Sequence, residues 1–181
     1  YLFFPQSLVD NIFKLQMEAI GRVNSTVQAD VTGNITKLDI FVKIIFNNFK
    51  VLFFCLIFSL LYGTGAIFIL TWNASVIATA MGNLIKLELA RTASMVGFSQ
   101  LSSYLGVASF AFFRYMTHGI LEIAAYFIAG LAGGIISVAL IKHNLQEDRV
   151  LIDSLDLIII SIGLIVVAGI VEVYVTPVFF Y

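Results

Sequence analysis

Charge is what this chain has least of. Asp, Glu, Lys and Arg make up 12% of its 181 residues, 60% are apolar and the mean hydropathy is +1.01. Soluble domains carry about 25% charge, so this composition excludes an ordinary soluble protein and predicts an integral membrane protein. Neither sign of charge dominates. Ten basic against eleven acidic residues leave a net charge of -1, which provides no basic field for nucleic acid and excludes it as a partner. Cysteine is nearly absent: Cys55 alone can form no internal disulfide, and it reads as a small hydrophobe inside a helix. No HExxH, CxxC, nucleophile elbow or phosphate-binding glycine run appears, so hydrolase and nucleotide-driven pump readings find no support and an enzyme is not the expectation.

What is there is a set of long apolar runs. The expectation is an all-α, multi-span helical membrane protein with an amphipathic helical segment before the main bundle. The opening YLFFP resembles the tail of a truncated first span. Within 1–48, Ile12, Phe13, Ile20, Val23, Val27, Val31, Ile35, Leu38, Val42 and Ile45 recur mostly every three or four residues. That pattern predicts extramembrane or interfacial amphipathic helices at 6–31 and 34–48, separated at Thr32-Gly33-Asn34. They either lie against the lipid or pack on the rest of the chain. From 49 to 181 a transmembrane bundle is expected, with spans at about 49–72, 95–113, 115–141 and 155–176. Lys86, Glu88 and Arg91 interrupt 73–94, which predicts a re-entrant or interfacial segment there. The block at 142–156 reads as a loop, with Asp153 or Ser154 capping the last helix and Pro177 ending it.

Orientation rests on competing signals. With 6–47 outside, six cations (Lys14, Arg22, Lys37, Lys43, Lys50, Arg114) lie outside against four inside (Lys86, Arg91, Lys142, Arg149), which opposes the positive-inside rule. Two glycosylation acceptor patterns, at Asn24 and Asn34, favour it, and a third at Asn73 does not.

Ionisable residues inside apolar runs carry the functional lead, because each costs roughly 2.5 to 3.5 kcal/mol at membrane depth and is retained where it pairs, packs inward or does chemistry. His118 and Glu122 stand one helical turn apart, and Glu172 lies in a separate run. Alternating spans place them at one membrane level with Asn47 and Asn48. Small residues surround this polar site: Ala125, Ala129, Gly130, Gly133 and Gly134 continue the Glu122 helix, Gly169 flanks Glu172, and Gly63 and Gly65 lie in the 49–72 run. The Gly130 to Gly134 GxxxG spacing allows close helix approach, and together with the apolar surface of 6–48 it predicts a homodimer.

These residues resemble a known family. Asn47-Asn48 before a span, Gly63-x-Gly65, the His118-Gly119-x-x-Glu122 helix start and the closing AGIVEVYVTP with Glu172 look like the stage II sporulation protein M (SpoIIM-like) family of integral membrane proteins, over about 47–177. The resemblance implies five spans, an extracytoplasmic segment after the first, hence 6–47 outside, and work alongside membrane partner proteins. The chain departs from the family pattern at Thr117, where proline is common, and at Asn73-Ala74, where Asn-Gly is.

Three chemistries remain open for His118, Glu122 and Glu172. One is a divalent metal site, with Asn48 or water completing the shell. Another is a proton or cation relay through the two carboxyls, as in a small transporter. The third is a buried polar contact that fixes helix register in a module binding partners, lipids or a second copy of itself. The expected location is the cell membrane, with several passes.

Overall fold

The computed structural model describes residue 2 and residues 4–29, 36–91, 98–142 and 148–180, and the side chains of all but 22–29, 98–101 and 148 among them. Every regular element among them is helical: α1 (Gln6–Ile12), α2 (Lys14–Ala29), α3 (Lys37–Tyr62), α4 (Ala66–Arg91), α5 (Phe98–Ile141), α6 (Asp148–Ile170), a π-helical turn (Val171–Val175) and α7 (Thr176–Phe180). Among the described residues four stretches are long and apolar enough to cross a membrane: Lys37–Tyr62, Ala66–Arg91, Ser102–Ile141 and Arg149–Phe180. The chain divides into two compact units, one built from Tyr1–Ile35 and Asn73–Met116, the other from Thr36–Trp72 and Thr117–Phe179.

In the first unit α1 and α2 are separated by a turn at Phe13, whose amide still donates to the Val9 carbonyl at 2.9 Å. Both helices pack on α4 in the opposite direction. Lys86 Nζ donates to the Phe4 carbonyl at 3.5 Å and to Gln6 Oε1 at 3.4 Å, while Gln16 Nε2 donates to Ser75 Oγ at 3.3 Å. Val9 is fully buried, and Phe4, Leu8, Ile12 and Leu15 form an exposed stripe. The segment at 73–94 makes no re-entrant turn over its described part: 66–91 is one helix. Two of the charges that suggested an interruption answer each other, Arg91 Nη1 lying 2.7 Å from Glu88 Oε1 one turn away.

The second unit begins with a capping box. Thr36 Oγ1 accepts from the Asp39 amide at 3.3 Å, and Asp39 Oδ2 accepts from the Thr36 amide at 2.9 Å, so two otherwise orphaned amides at the start of α3 are satisfied. From there α3 runs unbroken to Tyr62. The boundary expected between 48 and 49 is absent, because nothing in the run at 37–62 interrupts helical hydrogen bonding. The expected 49–72 span is instead divided. Gly63, at φ 65, adopts a left-handed conformation that favours glycine, and a Cβ on Gly65 would collide with the Phe58 backbone carbonyl. The turn at 63–65 therefore makes α3 and α4 separate helices.

Two further boundaries differ from expectation. Arg114 does not divide 95–113 from 115–141 over their described part; α5 is one helix of 44 residues. At the other end, Ser154 is not a cap but sits inside α6, its Oγ donating back to the Val150 carbonyl at 2.7 Å. The acceptor patterns at Asn24 and Asn73 fall within α2 and α4, while Asn34 and the Thr32-Gly33-Asn34 break lie outside the described residues.

Candidate functional site

The inward face of α3 is set by helical spacing. Asn48, Leu52, Cys55 and Ser59, at steps of four, three and four, are its buried residues. Asn47, about 100° round the helix, is exposed and takes no part in the site. On α5 the buried residues Glu122, Ala125, Tyr126, Ala129, Gly130, Ala132 and Gly133 form the facing surface. Leu52, Cys55, Ala66, Ala125, Tyr126, Ala129 and Ile165 make up the apolar core of this unit.

Two polar bonds cross that core. Asn48 Nδ2 donates to Glu122 Oε1 at 2.5 Å, a contact between side chains 74 positions apart, and both residues are buried. Near the other end of α3, Ser59 Oγ lies 2.5 Å from the Gly130 carbonyl and 2.7 Å from that of Gly63, so its hydroxyl serves the α5 backbone and the α3–α4 turn. Glycine makes this approach feasible. A Cβ on Gly130 would stand 2.6 Å from Ala66 Cβ, and one on Gly133 would meet the Leu56 carbonyl and lie 3.1 Å from the Leu60 amide nitrogen. Gly134 differs: its Cβ would find ordinary contacts, 3.5 Å to Ser59 Oγ and 3.7 Å to the Gly63 carbonyl. The contact pair is thus Gly130 and Gly133, and it is filled by the same chain.

The third element is α6. Gly169 faces α3, where a Cβ would be 2.7 Å from Ile45 Cδ1 and 3.2 Å from Phe41 Cε2. Beyond it the helix widens: the Thr176 amide donates to the Val171 carbonyl five residues back, and Thr176 Oγ1 reaches the same oxygen at 3.1 Å. Pro177 supplies a physical reason, since it has no amide hydrogen and its ring crowds the carbonyl four residues earlier, and a wide turn relieves both. The expected stop at Pro177 is accordingly a bulge, and the chain continues as α7.

Glu172 stands in this π turn, half-buried. Its carboxyl, that of Glu122 and the Tyr126 phenol lie within electrostatic range of one another, and Cys55 is close to the same phenol. Among the described residues no Lys or Arg forms an ion pair with either glutamate. His118 is half-buried one turn before Glu122, with its Nδ1 shielded from solvent. Among the described residues no three His, Cys, Asp or Glu side chains gather as a metal-binding group, so His118, Glu122 and Glu172 do not form a three-ligand set. Tyr126 escaped the sequence reading although it follows Glu122 by one turn; a phenol in the middle of an apolar run was the available signal.

Comparison with known proteins gives one result. The model of a family described as stage II sporulation protein M matches residues 6–177. No curated protein and no solved structure matches the chain.

Proposed function

The chain belongs to the stage II sporulation protein M family and has the helices of a multi-pass membrane protein, and from these premises we propose that it is a membrane module that assembles with partner proteins or with further copies of itself. The observation that carries this reading is the buried Asn48–Glu122 hydrogen bond. Lipid tails are as apolar as leucine, so helices gain little from hydrophobic burial against each other, and close packing with polar bonds fixes their register. Asn48–Glu122 and Ser59–Gly130, flanking tightly packed glycines, hold α3 and α5 in one register and give a rigid body that a partner can recognise. A second copy cannot use the Gly130–Gly133 face, which α3 and Ala66 occupy; it has the exposed face of α3 and the Phe4, Leu8, Ile12, Leu15 stripe. The cell membrane is the proposed location.

One observation favours a second reading. Two carboxyls, one buried and one half-buried, lie within electrostatic range of each other, and among the described residues neither is ion-paired to Lys or Arg, which suits a site that takes up and releases a proton or small cation. The two readings part on a conservative substitution. In Glu122→Gln the amide oxygen still accepts from Asn48, so a register bond survives; a proton-carrying group does not. The experiment measures thermal stability in detergent and proton and cation flux in liposomes for the wild type, Asn48→Ala, Glu122→Gln and Glu172→Gln. A register bond predicts that Asn48→Ala loses about 1 to 3 kcal/mol by leaving a buried carboxyl unbonded, that Glu122→Gln loses less, and that no protein conducts. Wild-type flux abolished in both glutamine variants would replace the module reading with transport.

A further inference from the structure

Lys50 lies two residues beyond Asn48, about 200° round α3, so it points out of the bundle at nearly the depth where Asn48 points in. Around it the outer face of α3 is apolar and uncovered by this chain: Val42, Phe46, Phe53 and Phe54 are 56%, 63%, 56% and 48% exposed. A lysine surrounded by hydrocarbon-facing side chains turns its ammonium toward the polar boundary. Lys50 does this over Phe46, one turn toward the amino end of α3, with Nζ 4.6 Å from the ring centroid. Lys43 lies two turns earlier on the same side of the helix.

We propose that the Phe46–Lys50 face of α3 binds the phosphate of an anionic phospholipid, which sets the membrane boundary at this level. The apolar stripe takes the acyl chains below the phosphate, and the ammonium supplies the opposite charge at the only depth where the stripe carries a cation flanked by aromatic rings. As a consequence, Asn48 and Glu122 sit within about one helical turn of the headgroup region rather than at mid-bilayer. The lipid site stands whether the Asn48–Glu122 bond locks helices or carries protons.

The experiment uses the full chain in vesicles of phosphatidylcholine alone or mixed with phosphatidylglycerol. Lipid retained after detergent extraction is counted by native mass spectrometry for the wild type, Lys50→Arg and Lys50→Leu. The wild type and Lys50→Arg retain phosphatidylglycerol in preference to phosphatidylcholine, and Lys50→Leu lowers that preference about fivefold, the effect of one lysine near a membrane surface. Added inorganic phosphate does not displace the lipid. Depth comes from nitroxides at Val42→Cys and Phe53→Cys: a water-soluble nickel chelate relaxes the first, and oxygen relaxes the second. Unchanged lipid preference in Lys50→Leu, displacement by free phosphate, or equal depth at the two labels overturns the proposal. So does finding an acidic protein segment, rather than lipid, cross-linked to Lys50 in native membranes.

Discussion

Adding one methyl group at Gly133 should loosen the α3–α5 contact, whereas adding it at the next residue should not. A Cβ on Gly133 meets main-chain atoms, the Leu56 carbonyl and the Leu60 amide nitrogen, with Ser59 Cβ also 3.1 Å away. Main chain cannot rotate aside, so the helices must part, and overpacking of this kind costs about 1 to 3 kcal/mol, here toward the upper end. Separation also stretches Ser59 from the Gly130 carbonyl, a bond worth about 0.6 kcal/mol on the average measured between membrane helices. Against this, alanine is the better helix former by about 1 kcal/mol. The balance for Gly133→Ala is a loss of about 2 kcal/mol, or roughly 4 to 8 °C in Tm for a chain of this size. Gly134→Ala keeps the propensity gain and meets only ordinary contacts at 3.5 and 3.7 Å, so its Tm should match or exceed the wild type. Far-UV circular dichroism during thermal unfolding in detergent measures both. Equal Tm values for the two variants would refute the close α3–α5 approach, whatever their absolute stability.

Two other substitutions probe the second unit. Thr36→Ala removes the capping box and should cost about 1 kcal/mol, read as a lower Tm and as faster amide exchange confined to the first turn of α3; exchange unchanged at Asp39 and Ile40 would show that the cap is not formed. Pro177→Ala restores an amide hydrogen where the π turn now compensates for its lack, so amides around Val173–Val178 should exchange more slowly and the Glu172 side-chain resonance should shift. If neither moves, the proline is not the cause of the bulge.

The class of the fold was legible because composition decides it: a chain with this little charge and runs this long has few alternatives to membrane helices. Boundaries were not, and the reasons differ by position. Charge misled at Lys86, Glu88 and Arg114, since a helix carries isolated charges that pair along it or lie at its surface, as Arg91 and Glu88 do. Polarity misled at 37–48, where residues facing outward gave α3 an amphipathic look although it continues into the apolar run. Glycine was the better guide at 63–65, where a positive φ and a close backbone contact oblige a turn, yet the same residue type at Gly130 and Gly133 marks helix contact. Sequence cannot tell these uses apart, because the difference lies in what the missing Cβ would have touched. For the polar site, periodicity separated Asn48 from Asn47 only once the inward face of α3 was known.

The placement of Glu172 combines two features that sequence reading handles separately. Counted on three residues from Gly169 at regular helical pitch, Glu172 belongs near the face that packs on Ile45 and Phe41. Val173 and Thr176 lie on the same face and are buried, while Glu172 is half-buried, so the inward face carries on through the π turn with the glutamate at its edge. The glutamate on α5 has a different setting, buried and accepting from the Asn48 amide. Two carboxyls of the same chemistry thus sit in unlike settings, one on an α-helix and one in a π turn. With Pro177 behind the π turn, Pro177→Ala should shift the Glu172 side-chain resonance and leave those of Asn48 and Glu122 in place, and equal shifts at all three would refute this separation.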